Sequence, residues 1–251
     1  MSGHSKWAGI KHKKAITDAR RGQLFTRLAR EIEVAAREGG GGPDNNFRLR
    51  LVMQKAREAN MPADNIDRAI KRGTGELEGS ALEQLRYEGY ASHGVAVMVD
   101  AMTDNRNRTS AAIKHLFSKF GGNLGESGCV AWMFRRIGLI YADLTTQDSD
   151  EVGLVAIEAG AEDISMDGST LEVSARPESF ETVRGALEAQ GLTMDSAEVT
   201  MHPTTTVPLA ESEAVSVLRL IDALEELEDV QEVYANFDIP DAVLERVSAK
   251  V

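Results

Sequence analysis

Residues 212–239, SEAVSVLRLIDALEELEDVQEVYANFDI, carry one helix and then one strand, with no sheet beside them in the sequence for either to join. Ala214, Val217, Leu218, Ile221 and Leu224 recur at the spacing of one helical face, and QEVYANFDI reads as extended chain. A lone strand and a one-faced helix need apolar surface supplied from elsewhere. The stretch that lacks such a pair lies far upstream. LRYEGYAS (85–92) and GVAVMVDAM (94–102) read as a hairpin, NRNRTSAAIKHLFSKFGG (105–122) as an amphipathic helix closed by glycines, and CVAWMF (129–134) as a further strand. Between the two lies a self-sufficient β-α-β-β-α-β series: GLIYADL, DEVGLVAIEAG, EDISMD, TLEVSAR, ESFETVRGALEAQ and AEVTMH, the ferredoxin-like order. The economical topology inserts this unit, 136–206, into a discontinuous α/β domain made of 80–135 and 207–240.

Upstream of residue 80 the period is helical throughout. Phe25, Leu28, Ile32 and Ala35 share one face while Arg27, Arg30 and Arg37 point away from it. GGGGPDNN (39–46) ends that helix and offers Asp44 or Asn45 as the cap of the next, and MPADNIDRAIKRG (61–73) places Pro62 and Gly73 at the two ends of a third. The expected architecture is an α+β multidomain fold: a basic helical N-terminal domain (1–79), the two α/β domains, and a C-terminal tail (241–251).

The net charge of −12 conceals a strong polarity along the chain. Residues 1–80 carry 16 basic and 10 acidic side chains, a balance of +6; residues 81–145 stand at +1 and residues 146–251 at −19. An acidic average therefore does not exclude a polyanionic partner at the cationic end. The acidic rear is expected to repel nucleic acid and so to orient the basic front toward it. LEELEDVQE within it reads as the solvated face of a helix end rather than a metal site.

Several function classes are excluded or disfavoured by what the residues offer. One cysteine, Cys129, permits no internal disulfide, and the five histidines are scattered without metal-ligand spacing, so neither a metal nor a cofactor is expected. GGGG, GTGE and GGNLGESG do not continue into the GK[ST] of a phosphate loop, and no local catalytic constellation stands out, so the protein is expected not to be an enzyme. Cys129 and Trp132, inside the apolar run CVAWMF, are expected in the core. No apolar stretch reaches the ~18 residues of a membrane span, which points to a cytoplasmic protein without a membrane partner.

Two motifs point to phosphate. The head SKWAGIKHKKAITDARR gathers Lys6, Lys11, Lys13, Lys14, Arg20 and Arg21 around a single acid, Asp18, with Trp7 and His12 available to stack on a base. The rival reading is a solvated tail or a processed leader, although the basic run enters the first helix without an apolar segment. TDNRNRT (103–109) sets Arg106 and Arg108 at the mouth of a helix capped by Asn105 or Asn107, where the helix dipole is positive. Either an anion sits there or the arginines are flexible surface groups.

GHSKWAGIKHKKAITDARRGQLF, ANMPADNIDRAIKRGTGE, YEGYASHGVAVMVDAMTDNRNRT and GGNLGESGCVAWMF together resemble the YebC/PmpR family, over nearly the whole chain. The resemblance implies a three-domain, cytoplasmic, non-enzymatic protein with a cleft between its α/β domains. Members are described as transcriptional regulators that bind promoter DNA, and bacterial and mitochondrial members are also connected with the ribosome and with relief of stalled translation. Gly9 and Gln23 depart from the family pattern, which often has Asn and a basic residue there. The expected partner is nucleic acid, either DNA or ribosomal or transfer RNA, with the ribosome as a second candidate. The expected contacts are Lys6, Trp7, Lys11, His12, Lys13, Lys14, Arg20 and Arg21, flanked by Arg27, Arg30, Arg106 and Arg108. No helix-turn-helix with a base-reading helix is visible, which tilts the residues toward shape or RNA recognition.

Overall fold

The computed structural model describes residues 18–78, 81–144, 147–240, 243 and 246–247, with the side chains of 18–20 and 167 left out. Three helices open it: α1 (Asp18–Gly39), α2 (Phe47–Glu58) and α3 (Ala63–Gly73). Their shared core is built from Leu28, Ile32, Ala35 and Ala36 of α1 against Leu49, Val52, Met53 and Ala56 of α2 and Ile66 and Ala69 of α3. Each large aliphatic side chain buried this way contributes about 1.5–3 kcal/mol. The cap of α2 is Asn46 rather than the expected Asp44 or Asn45. Its Oδ1 accepts from the Leu49 N–H at 3.0 Å, while its Nδ2 donates to the Ala35 and Gly40 carbonyls at 2.8 Å each. One side chain thus closes α1 and opens α2. Gly39 is required beside it, because a Cβ there would stand 2.6 Å from Asn46 Nδ2.

The second unit contains β1 (Glu83–Tyr90), β2 (Ala96–Thr103), α4 (Arg106–Lys119) and β3 (Asn123–Leu124), and after a long excursion α7 (Glu211–Glu225) and β9 (Val230–Ala235). Its antiparallel sheet runs β3-β1-β2-β9, with Val97 opposite Ala235 and Val99 opposite Val233. The stretch 212–239 therefore does complete the upstream sheet. α4 and α7 cover one face through Ile113, Phe117, Val217, Leu218, Ile221 and Leu224, and Val247 is buried in the same core. The other face of β2 presents Ala96 and Met98 to Val130 and Phe134. A strand covered on both sides must be apolar at successive positions, which is why GVAVMVDAM shows no alternation.

The excursion is a separate antiparallel sheet. β4 (Phe134–Asp143), α5 (Ser149–Glu158), β5 (Ala161–Asp167), β6 (Thr170–Ala175), α6 (Phe180–Ala189) and β7 (Met194–Pro203) give the strand order β5-β6-β4-β7, the ferredoxin-like arrangement. α5 and α6 pack on one face through Val152, Ala156, Phe180, Val183 and Leu187 against Ile140, Leu171 and Val173. Gly138 admits the Phe180 ring, which a Cβ would meet at 2.5 Å. The short parallel pair β8 (Val207–Pro208) and β10 (Phe237–Asp238) joins the return chain to the end of the second unit.

One stretch departs from its sequence reading. CVAWMF is not a strand: residues 131–133 form a single 3₁₀ turn, and β4 begins at Phe134. Cys129 is half-buried and Trp132 is 69% exposed, so neither is the core residue expected. The cause is a remote carboxylate, Glu88, which accepts hydrogen bonds from the N–H groups of Gly128, Val130 and Ala131 and draws the chain into a turn.

Candidate nucleic-acid interface

The helical front presents its cations outward because its apolar positions are spent on the three-helix core. Arg48, Arg50, Lys55 and Arg57 of α2 and Arg68, Lys71 and Arg72 of α3 are all exposed. Several lie in the last turn of their helix, where they also complement the negative end of the dipole. Phe47, 54% exposed at the first turn of α2, has the Arg50 guanidinium 5.6 Å from its ring centroid.

A groove of about 400 Å³ runs between α1 and α3. Phe25 and Met61 line it with Arg30, Arg68 and Arg72, and with the acids Glu33 and Asp104. The Glu33 carboxyl is pushed up by desolvation, against the opposing pull of Arg37, Arg72 and Arg30. Arg30 is tied to Asp229, so Arg68 and Arg72 are the cations the groove presents at its rim.

The mouth of α4 does hold an anion, and the chain supplies it. Asn105 is the cap, its Oδ1 accepting from the Arg108 N–H at 3.1 Å. Asp229, which follows α7, receives hydrogen bonds from Thr109 Oγ1 at 2.7 Å, from Arg108 Nη2 at 2.9 and 3.0 Å, and from Arg30 Nη1 at 3.0 Å. Arg30 also donates to the carbonyls of Glu228 and Met102. Desolvation alone would raise the Asp229 pKa, but Thr109, Arg108 and Arg30 outweigh it and hold the carboxyl below the usual carboxylate range. α1 is further tied down by Gln23 Nε2 to the Glu226 carbonyl at 3.4 Å and by Arg37 Nη2 to the Leu82 carbonyl at 2.8 Å. Asp229 is thus a hub on which the helical front and the second unit are both fastened.

The expected contact residues are distributed unevenly around this hub. Lys6, Trp7, Lys11, His12, Lys13 and Lys14 lie outside the described residues, and Arg20 is in α1 without a described side chain. Arg21 is exposed at the start of α1, on the rim of a second cavity of about 560 Å³ formed with Leu24, Phe25 and Asn60. Arg27 is half-buried, its Nε without a hydrogen-bond partner among the described residues. Arg106 is exposed, whereas Arg30 and Arg108 are brought together on Asp229, with side chains 18% and 52% exposed. Within LEELEDVQE, expected as the solvated face of a helix end, Asp229 is instead buried, because Thr109, Arg108 and Arg30 converge on it from elements remote in the chain. Sequence reasoning overlooked the α3 arginines and Phe47, for which the basic residues in the last turns of α2 and α3 were a usable signal.

Fold and charge together define a three-unit α+β protein with its cations gathered at a helical end and its acids at the other. Among the described residues no helix is long and apolar enough to cross a membrane. The chain belongs to the TACO1/YebC family. Residues 5–76 match the family model described as the TACO1/YebC protein N-terminal domain, and residues 82–237 match that of the second and third domain. A "probable transcriptional regulatory protein" of Natranaerobius thermophilus is 55% identical over 248 residues, covering 98% of this chain and 99% of the relative. One of the same description from Halothermothrix orenii is 55% identical over 251 residues, with 99% of each covered. The crystal structure of a conserved hypothetical protein from Aquifex aeolicus superposes with a TM-score of 0.78 at 49% identity, covering 89% of this chain and 93% of that one.

Proposed function

We propose that this chain is a non-enzymatic, cytoplasmic regulator of gene expression that binds nucleic acid, in the first place DNA, through its basic N-terminal domain. The observation that carries the reading is the separation of charge: +6 over residues 1–80 against −19 over residues 146–251. The names of the relatives add transcription as the setting. Phosphates would be met by the head residues Lys6, Lys11, Lys13, Lys14, Arg20 and Arg21, by Arg27 and Arg106, and by the α3 arginines along the groove. Trp7 and His12 would stack. Arg30 and Arg108 serve this surface by fixing its orientation, since both are held by Asp229 and Arg108 by Asp104 as well. The units are proposed to divide at 1–79, 80–135 with 207–240, and 136–206, and the acidity of residues 146–251 is proposed to orient the basic front toward the polymer.

A second reading, a ribosome-associated factor acting on ribosomal or transfer RNA, is favoured by one observation: the exposed aromatic ring of Trp132, which suits an unpaired base better than a duplex. Crosslinking in cells, followed by sequencing of the attached polymer, separates the two. Enrichment of genomic DNA fragments upstream of genes is the expected result. Ribosomal RNA as the dominant crosslinked species, with sedimentation on ribosomal particles that survives DNase, would replace the first reading with the second.

A further inference from the structure

Trp132 is the most exposed of the large apolar side chains described, at 69%, and it is not a loose one. Its Nε1 donates to the Cys129 carbonyl at 3.1 Å, and the Tyr90 hydroxyl donates to the same carbonyl at 3.2 Å. Two aromatic side chains are thereby anchored on one oxygen. The loop that carries that oxygen is itself fixed from below. Glu88, 3% exposed, accepts from the Gly128, Val130 and Ala131 N–H groups at 2.8, 2.9 and 2.7 Å, and its own carbonyl accepts from Gly125. Desolvation of this carboxylate works against ionisation, but the three backbone hydrogen bonds prevail and hold its pKa low. Gly125 lets the loop close on Cys129, whose Sγ would lie 2.6 Å from a Cβ at that position. A buried charge with three donors is an expensive way to hold a surface turn, and what it holds out to solvent is an indole.

The charge around the ring is equally specific. β4 starts at Phe134, two residues after Trp132, and its second and third residues, Arg135 and Arg136, are both exposed on opposite faces of the sheet. β6 runs antiparallel to it and ends at Ala175, which puts Arg176 at the same end of the sheet. Arg135 and Arg176 share one carboxylate, Glu162, at 3.9 and 3.6 Å. Arg176 is one of only five basic residues in the acidic stretch 146–251, and it stands at the sheet end where Arg135 also emerges. Aromatic faces beside guanidinium groups match the two parts of a nucleotide: the base stacks and the phosphate pairs.

We propose that Trp132 and Tyr90, with Arg135 and Arg176 at the adjoining end of the sheet, form a stacking platform for an unpaired base of single-stranded RNA. The platform rests on the second, RNA reading above and adds to it a contact remote in sequence from the basic head. RNA is the occupant because its loops and bulges display splayed bases, whereas duplex DNA keeps its bases stacked out of reach of such a surface. Phosphate contacts position the polymer at the helical front, and the platform accepts a base without reading its edge.

The test uses the full chain and a labelled single-stranded RNA of about 12 nucleotides, with binding followed by fluorescence anisotropy. Trp132→Ala is expected to weaken binding about tenfold or more, and Trp132→Phe, which keeps an aromatic face, to recover most of that loss. The salt dependence of binding is expected to be the same in all three proteins, because the ring carries no charge. Unchanged urea midpoints confirm that the exposed position does not affect folding. Binding by Trp132→Ala equal to that of the unmodified chain overturns the platform while leaving the basic-front reading intact. A tenfold loss with a flat salt response supports the platform and overturns the basic-front reading. An equal loss with a DNA duplex of the same sequence, whose bases stay stacked, overturns the assignment to an unpaired base.

Discussion

Removal of residues 1–14 is expected to weaken nucleic-acid binding by about a hundredfold or more at ~100 mM salt, with no measurable change in the urea unfolding midpoint. The deletion takes away Lys6, Lys11, Lys13 and Lys14 together with Trp7 and His12, and no acidic side chain. Each lysine that neutralises a phosphate releases a condensed counterion, so the loss compounds as a power of salt concentration rather than as a sum of small contacts. Stability is expected to survive because, among the described residues, the core of the helical front begins at Leu24 and is closed by α2 and α3. Electrophoretic mobility shift with a DNA duplex measures the first effect and urea denaturation the second. Loss of stability with retained binding would reverse the assignment of the head from contact surface to structural element.

Replacement of Asp229 by Ala is expected to cost about 2–3 kcal/mol of stability and to detach α1 from the second unit. The Asp229 side chain is only 10% exposed and accepts from Thr109, Arg108 and Arg30; without it the Thr109 hydroxyl falls back on Thr103 and the Asn105 carbonyl, and two guanidinium groups lose their shared carboxylate at the positive end of α4. Hydrogen exchange at the N–H groups of α1 should accelerate with the change, while exchange in β5 and β6 should not. The same hub fixes a pH dependence. Its folded pKa is depressed, so its contribution is fully present above the ordinary carboxylate range of about 4 and is lost as pH falls through the lower folded value. The wild-type chain should therefore lose the docking of α1 on strong acidification, and the Asp229→Ala chain should lack that transition.

The elements that the sequence made legible are those whose pattern is set by local period. α7 declared its face through Ala214, Val217, Leu218, Ile221 and Leu224, all fully buried, and only the additional burial of Leu220 went beyond that stripe. β9 followed because an unpaired strand must find a sheet, and β2, apolar at nearly every position, could accept it as a neighbour. What stayed hidden depends on partners remote in the chain. Arg106 and Arg108 signalled that an anion belongs at the mouth of α4, but nothing near them could say that Asp229 would be it. CVAWMF has the composition of a buried strand, and only Glu88, reaching its N–H groups from β1, turns it outward. Asn46 displaced Asp44 and Asn45 as the cap because it alone also reaches back to α1. The candidate site was legible as a quantity of charge and illegible as an arrangement.

The central claim, that binding is carried by cations meeting phosphates at the helical front, is tested most directly by the affinity of the full chain for a DNA duplex as a function of salt. With about six phosphates engaged, affinity should fall about a thousandfold between roughly 50 and 200 mM salt, along a straight line of log affinity against log salt. A response that stays flat over that range would contradict the account.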